Sequence, residues 1–143
     1  ALSSAASDVY KRQVISLVSG DFDYVVIDGE AGVEQINRRV MEKVTHLILV
    51  TDPSKKGRQV IASVKEVADR LMSPEKTGVV VNRILDDEQK KYLDLGGLTA
   101  YAYIGSDPNV SRFDTEGRSL MELPDDSEIV AGARRALEAA GIL

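Results

Sequence analysis

The segment THLILVTDPSKKGRQVIASVKEVADRLMSPEKTGVVVN, Thr45 to Asn82, carries the pattern that decides the fold. Its two ends, Thr45 to Val50 (THLILV) and Thr77 to Asn82 (TGVVVN), are nearly continuous in Val, Ile and Leu, as strands covered on both faces must be. Between them Val60, Ile61, Val64, Val67, Ala68, Leu71 and Met72 recur at the helical period, behind the helix-starting cluster Asp52-Pro53-Ser54. Strand, helix and strand in that order predict a right-handed crossover joining two parallel strands.

Further apolar runs extend the pattern in both directions. Asp23 to Asp28 (DYVVID) and Thr99 to Ile104 (TAYAYI) read as strands, and Val33, Ile36, Val40 and Val44 share one helical face. Weaker helices are expected over about Asp86 to Leu93, closed by Gly96-Gly97, and from a Ser127 cap through Ile129, Val130, Ala133 and Leu137 to Gly141. Near the start, Ser7 and Asp8 are able to cap a helix running to Val18. The expectation is an α/β fold, a parallel sheet with flanking helices, without internal repeats.

Composition narrows the function classes. The chain has 143 residues, 43% of them hydrophobic, enough for one ordinary domain with a real core. It contains no cysteine, which excludes a disulfide scaffold and any thiolate metal site within it, and suits a reducing compartment. A net charge of -5, with both signs interspersed, offers no broad cationic face, so nucleic acid is not an expected partner. No apolar run approaches the roughly 20 residues of a membrane span, and the first residues lack the basic start and apolar stretch of a secretory signal. A cytoplasmic protein without a membrane partner is expected.

In parallel sheets ligands meet the carboxyl ends of the strands. The segments found there are Asp28-Gly29-Glu30-Ala31-Gly32, Thr51-Asp52-Pro53-Ser54, Asn82-Arg83 and Gly105-Ser106-Asp107-Pro108. A carboxylate ending a buried strand, with glycine close behind, suits a nucleotide hydrolase: Asp28 would hold Mg²⁺ through water while Gly32 lets a backbone N–H approach a phosphate. The plainer reading of such a pair is a turn. Asn82 presents the donor and acceptor that an adenine edge needs, or ties down its own loop. Asp107 either lines the same pocket or starts the helix behind Pro108. Arg38-Arg39 read as a phosphate or partner contact or as a solvated helix face, His46 as structural, and Lys55-Lys56-Gly57 as the lead into a helix. The phosphate loop G-x-x-x-x-G-K-[ST] is absent from these residues.

Taken together, DYVVIDGEAGVEQINRRVMEKVTHLILVTDPSKKG, GVVVNRI and YIGSDPNVSRFDTEGRSLMELPDDS resemble the C-terminal two-thirds of a deviant Walker A ATPase of the MinD/NifH-like group. Within it the chain looks like the CooC-type ATPases that insert nickel into carbon monoxide dehydrogenase/acetyl-CoA synthase. The resemblance covers about Val14 to Leu143 and implies an incomplete P-loop domain whose first strand and phosphate loop are missing. It implies ATP and Mg²⁺ as cofactors, Asp28 as the Mg²⁺-proximal switch aspartate and Gly32 as the sensor of the terminal phosphate. Asn82 matches the adenine-reading asparagine. Asp107 matches the aspartate of a late I-P-x-D loop around the nucleoside, with Gly105 standing at that loop's proline position. It also implies an ATP-dependent homodimer serving a carbon monoxide dehydrogenase-type metalloenzyme, with the nickel-binding Cys-x-Cys outside these residues, so none here ligates nickel.

Ser3 to Gln13, SSAASDVYKRQ, resembles the in-frame translation of a transposon-based sequencing adapter, so residues 1–13 are expected to be an artefact and 14–143 the natural portion. On that reading the 143 residues alone bind ATP negligibly, and an uncovered sheet edge makes them poorly soluble. The closest rivals are a MinD/ParA-type partition or cell-division ATPase and an iron-sulfur carrier ATPase. A non-catalytic receiver-like signalling domain is the alternative of another class, since VVID and LILVT imitate its phosphorylated Asp and switch Thr. Against it, no Lys follows TAYAYIGSD.

Overall fold

Val79 and Val81 are fully buried at the centre of the sheet, and the strand that carries them has neighbours on both sides. The computed structural model describes residues 9–10, 13–14, 17, 20–29, 44–71 and 74–143. Among these, strands β1 (His46–Thr51), β2 (Lys76–Ile84) and β3 (Thr99–Gly105) form one sheet in the order β1-β2-β3, both pairs parallel. Residues 78–81 of β2 are buried without interruption, which is why TGVVVN shows no alternation of apolar and polar side chains. β2 pairs with β1 in unbroken register from His46↔Lys76 to Thr51↔Val81. Its ladder to β3 shifts twice, between Val79 and Val80 and between Val81 and Ile84.

Helix α1 (Lys55–Leu71) follows β1, as the crossover pattern requires. Ile61, Val64 and Ala68 are its buried stripe, whereas Val60, at the stripe's margin, is 42% exposed. α2 (Asp87–Lys91) is shorter than expected: the Asp86 carboxylate caps it by accepting the Gln89 N–H at 2.8 Å, and Tyr92 ends it ahead of Gly96-Gly97. α3 (Pro108–Glu116) and the 3₁₀ turn Leu120–Glu122 follow β3, with the Arg118 guanidinium 3.9 Å from the centroid of the buried Phe113 ring. The last helix, α4 (Glu128–Ala140), ends on Gly141 in the left-handed conformation (φ 73°). α4 lies on β3 and β2, where Ala136 joins Val80, Ala102 and Ile104 in the core. Gly132 makes that approach possible, since a Cβ there would stand 2.6 Å from Ile104 Cγ1.

Two expectations need correction. Residues 24–29 have no regular structure, and Tyr24, Val25 and Val26 are 66, 44 and 94% exposed, so Asp23 to Asp28 is not a fourth strand. A strand requires a neighbour for its N–H and C=O groups and a surface that covers one face, and apolar composition alone supplies neither. Ser127 precedes α4 as expected, yet its side chain makes no capping hydrogen bond. Its hydroxyl is committed to Asp107 instead.

Of the early residues, 9, 10, 13, 14 and 17 are helical, in line with a helix between Ser7 and Val18. The helix expected over Val33 to Val44 lies, Val44 apart, outside the described residues. By its contacts the chain divides into two units, Ala1–Thr45 with Ser63–Pro74 and His46–Ala62 with Glu75–Leu143. The sheet belongs to the second unit.

Candidate functional site

Parallel pairing brings the polar segments after β1, β2 and β3 to one edge of the sheet. At the end of β1, Thr51 is buried and its hydroxyl donates to the Asp52 carbonyl at 3.1 Å. Asp52 Oδ1 accepts the Ser54 N–H at 2.9 Å, and Ser54 Oγ in turn accepts the Gly57 N–H at 3.0 Å, capping α1. The Ser54 hydroxyl and backbone hold the Asp52 carboxyl below its ordinary 3.8, and the Arg83 charge adds to this against a small opposing effect of burial. Gly57 fits because it lacks a Cβ, which would stand 2.5 Å from Thr51 Oγ1 and 2.6 Å from Asp52 Oδ1. A shallow cleft of about 280 Å³ opens here, lined by Val50, Thr51, Asp52, Lys56, Gly57 and Val60 among others. Lys55-Lys56-Gly57 is the first turn of α1, as expected.

At the end of β2, Asn82 is half-buried and its Oδ1 accepts the N–H of Arg83 at 2.8 Å. Arg83 adopts φ 60°, an uncommon conformation for a side chain of its size, where the ladder shifts between Val81 and Ile84. Asn82 thus ties its own loop, yet a second Oδ1 lone pair and both Nδ2 hydrogens remain for a ligand. The bend separates Asn82 from the regular ladder. Strain of this kind concentrates at binding sites.

At the end of β3, Asp107 is only 9% exposed and serves two helices. Its Oδ1 accepts the Asn109 N–H at 2.9 Å, capping α3. Its Oδ2 accepts the Ile129 N–H at 3.2 Å in the first turn of α4, and also the Ser127 hydroxyl. The Ser127 hydroxyl is the main cause that holds its carboxyl below the ordinary 3.8, with the Ile129 and Asn109 N–H groups helping and burial opposing. Gly105 N–H donates to Glu128 Oε1 at 3.1 Å. The loop Gly105-Ser106-Asp107 is therefore fixed by its neighbours even though it lacks the proline of the motif it resembles.

Asn82 and Asp107 thus stand at the carboxyl ends of adjacent strands of the second unit, Asn82 within β2 and Asp107 just after β3. Asp28 is exposed and belongs to the first unit, while Gly32 and Arg38-Arg39 lie outside the described residues. His46 is half-buried at the start of β1. Mg²⁺ bound through water asks for only one or two protein carboxylates, a demand that the exposed Asp28 suits. Among the described residues no group of three His, Cys, Asp or Glu side chains could hold a metal ion. No helix among them is long and apolar enough to cross a membrane. The hydrogen bonds of Ser127 to Asp107 and of Glu128 to Gly105 were not legible in the sequence, because the partners lie about twenty positions away.

No family model matches the chain. Two uncharacterized ATP-binding proteins of Methanocaldococcus jannaschii are similar to it. One is 30% identical over 122 residues, 82% of this chain and 48% of the relative, and the other 24% identical over 119 residues, 80% and 46%. The crystal structure of the Pyrococcus furiosus cell division ATPase MinD superimposes with a TM-score of 0.68 at 20% identity, over 90% of this chain and 56% of that one. The chain has the MinD fold, and it spans about half the length of the curated relatives it matches.

Proposed function

We propose that this chain is part of a MinD-like P-loop ATPase and carries the nucleoside end of its ATP site. The observation that carries the reading is the gathering of Thr51-Asp52, Asn82-Arg83 and Gly105-Ser106-Asp107 at the carboxyl edge of one parallel sheet with the MinD fold. The ATP-binding description of both relatives supports it. In this account the Asn82 amide donates to and accepts from the adenine edge, and the loop anchored by Asp107 closes on the nucleoside. On the family resemblance, Asp28 would help to hold Mg²⁺, which would supply charge neutralisation at the phosphates, and Gly32 would sense the terminal phosphate.

The residues 143 long hold no G-x-x-x-x-G-K-[ST], so the phosphate loop would come from sequence outside them, with residues 1–13 foreign to the natural protein and 14–143 its nucleotide domain. The complete protein would hydrolyse ATP as a cytoplasmic homodimer. Its target, on the resemblance of DGEAGVEQINRR, is a carbon monoxide dehydrogenase-type metalloenzyme that receives nickel as cargo. The likeness to MinD favours a second reading, a partition or cell-division ATPase. The upstream coding sequence of the natural source gene tests both. A K-G-G-x-G-K-[ST] loop is expected in it, with a Cys-x-Cys for the nickel reading; an intact start codon immediately before Ala1 in that gene and no such loop overturns the ATPase.

A further inference from the structure

Glu128 opens α4, and its Oε1 accepts two hydrogen bonds: the Gly105 N–H at 3.1 Å and Arg135 Nη2 at 3.0 Å. The same Arg135 nitrogen donates to the Tyr103 carbonyl at 3.3 Å. In the opposite direction, Asp107 reaches from the loop to the Ile129 N–H and the Ser127 hydroxyl. Two carboxylates therefore bind the end of β3 to the first turn of α4, one from the helix to the strand and one from the loop to the helix. Ser106 lies between these ties with its side chain exposed. Asp107 is buried and already accepts three hydrogen bonds from protein, so the exposed Ser106 beside it is the part of the loop best placed to meet a ligand.

We propose that Glu128, braced by Arg135, is a positioning residue for the nucleoside end of the site, setting where the Gly105-Ser106 peptide stands. This rests on the nucleotide reading above. A carboxylate in the first turn also suits the positive end of the α4 dipole, so a purely structural role would affect stability alone. A positioning role separates nucleoside binding from phosphate binding, because the clamp acts on the loop after β3 and leaves the phosphate loop untouched.

The test titrates the complete protein calorimetrically with Mg²⁺-ATP and, separately, with inorganic triphosphate. Glu128→Ala is expected to weaken ATP about 10-fold, the worth of one charge-assisted hydrogen bond, with triphosphate affinity within about twofold. Glu128→Gln keeps an acceptor oxygen and recovers most of the loss. Arg135→Ala leaves Glu128 in place but unbraced and shifts ATP affinity the same way by a smaller factor. Equal effects on both ligands, or on neither, would overturn the proposal while leaving the ATPase reading intact. A wild-type protein that binds triphosphate as tightly as ATP, or binds neither, overturns the nucleoside reading and this inference with it.

Discussion

Asp107 shows how much one buried carboxylate is asked to do: it caps α3, reaches the first turn of α4 and accepts the Ser127 hydroxyl. Asp107→Asn turns an acceptor oxygen into a donor facing other donors, and is expected to cost about 2 kcal/mol at pH 7 by chemical denaturation. The acid limb carries the same signature. The native carboxyl is depressed below 3.8, so its stabilisation is complete above about pH 5 and is lost as pH falls through about 4 toward the lower native value. The Asn variant should therefore lose less stability than the wild type between pH 5 and 3. Gly57 is the other residue with a sharp expectation. Alanine would gain about 1 kcal/mol of helix propensity, but its Cβ would meet Thr51 Oγ1 and Asp52 Oδ1 at an overpacking cost of about 2 kcal/mol, so Gly57→Ala is expected to lose a net of about 1 kcal/mol and to melt at a lower temperature than the wild type. That Asn82 and Asp107 would stand at the carboxyl ends of strands was legible because each closely follows an apolar run. The double cap was not, since nothing local links Asp107 to Ser127 and Ile129.

Elements obeyed the sequence where burial was decisive. THLILV, TGVVVN and TAYAYI became β1, β2 and β3 within a residue or two at their boundaries, because each pairs with a neighbour in one sheet; only β2 is buried without interruption, and Val50 of β1 is 65% exposed, so β1 is not covered on both faces as its composition suggested. DYVVID, no less apolar, stayed irregular, which marks the limit of composition: a strand is a relation between segments, and its neighbour is not written in its own residues. The Ser127 start and Gly141 stop of α4 were readable from local chemistry, but its closeness to β3 was not. That closeness depends on Gly132 against Ile104. Gly132→Ala is expected to cost about 1 to 3 kcal/mol despite better helix propensity, because Ile104 is 6% exposed and has little room to move. Thermal melting of the variant checks this, and an unchanged or raised melting temperature would contradict the packing described.

For the molecule as a whole, the α/β class followed from strand and helix alternation, and the MinD likeness agrees with it. The finer assignment to nickel insertion rests on the DGEAGVEQINRR segment, whose residues from Glu30 onward lie outside the described structure, and it stands as a proposal. The central claim concerns the carboxyl edge of the sheet. It is tested most directly by calorimetric titration of the complete protein with Mg²⁺-ATP and Mg²⁺-GTP, wild type against Asn82→Ala. The account expects ATP to bind in preference to GTP, and Asn82→Ala to weaken ATP about 10-fold and erase most of that preference, as losing one or two base-edge hydrogen bonds should. Unchanged ATP affinity and unchanged preference in Asn82→Ala, or no nucleotide binding by the complete wild-type protein, would contradict it.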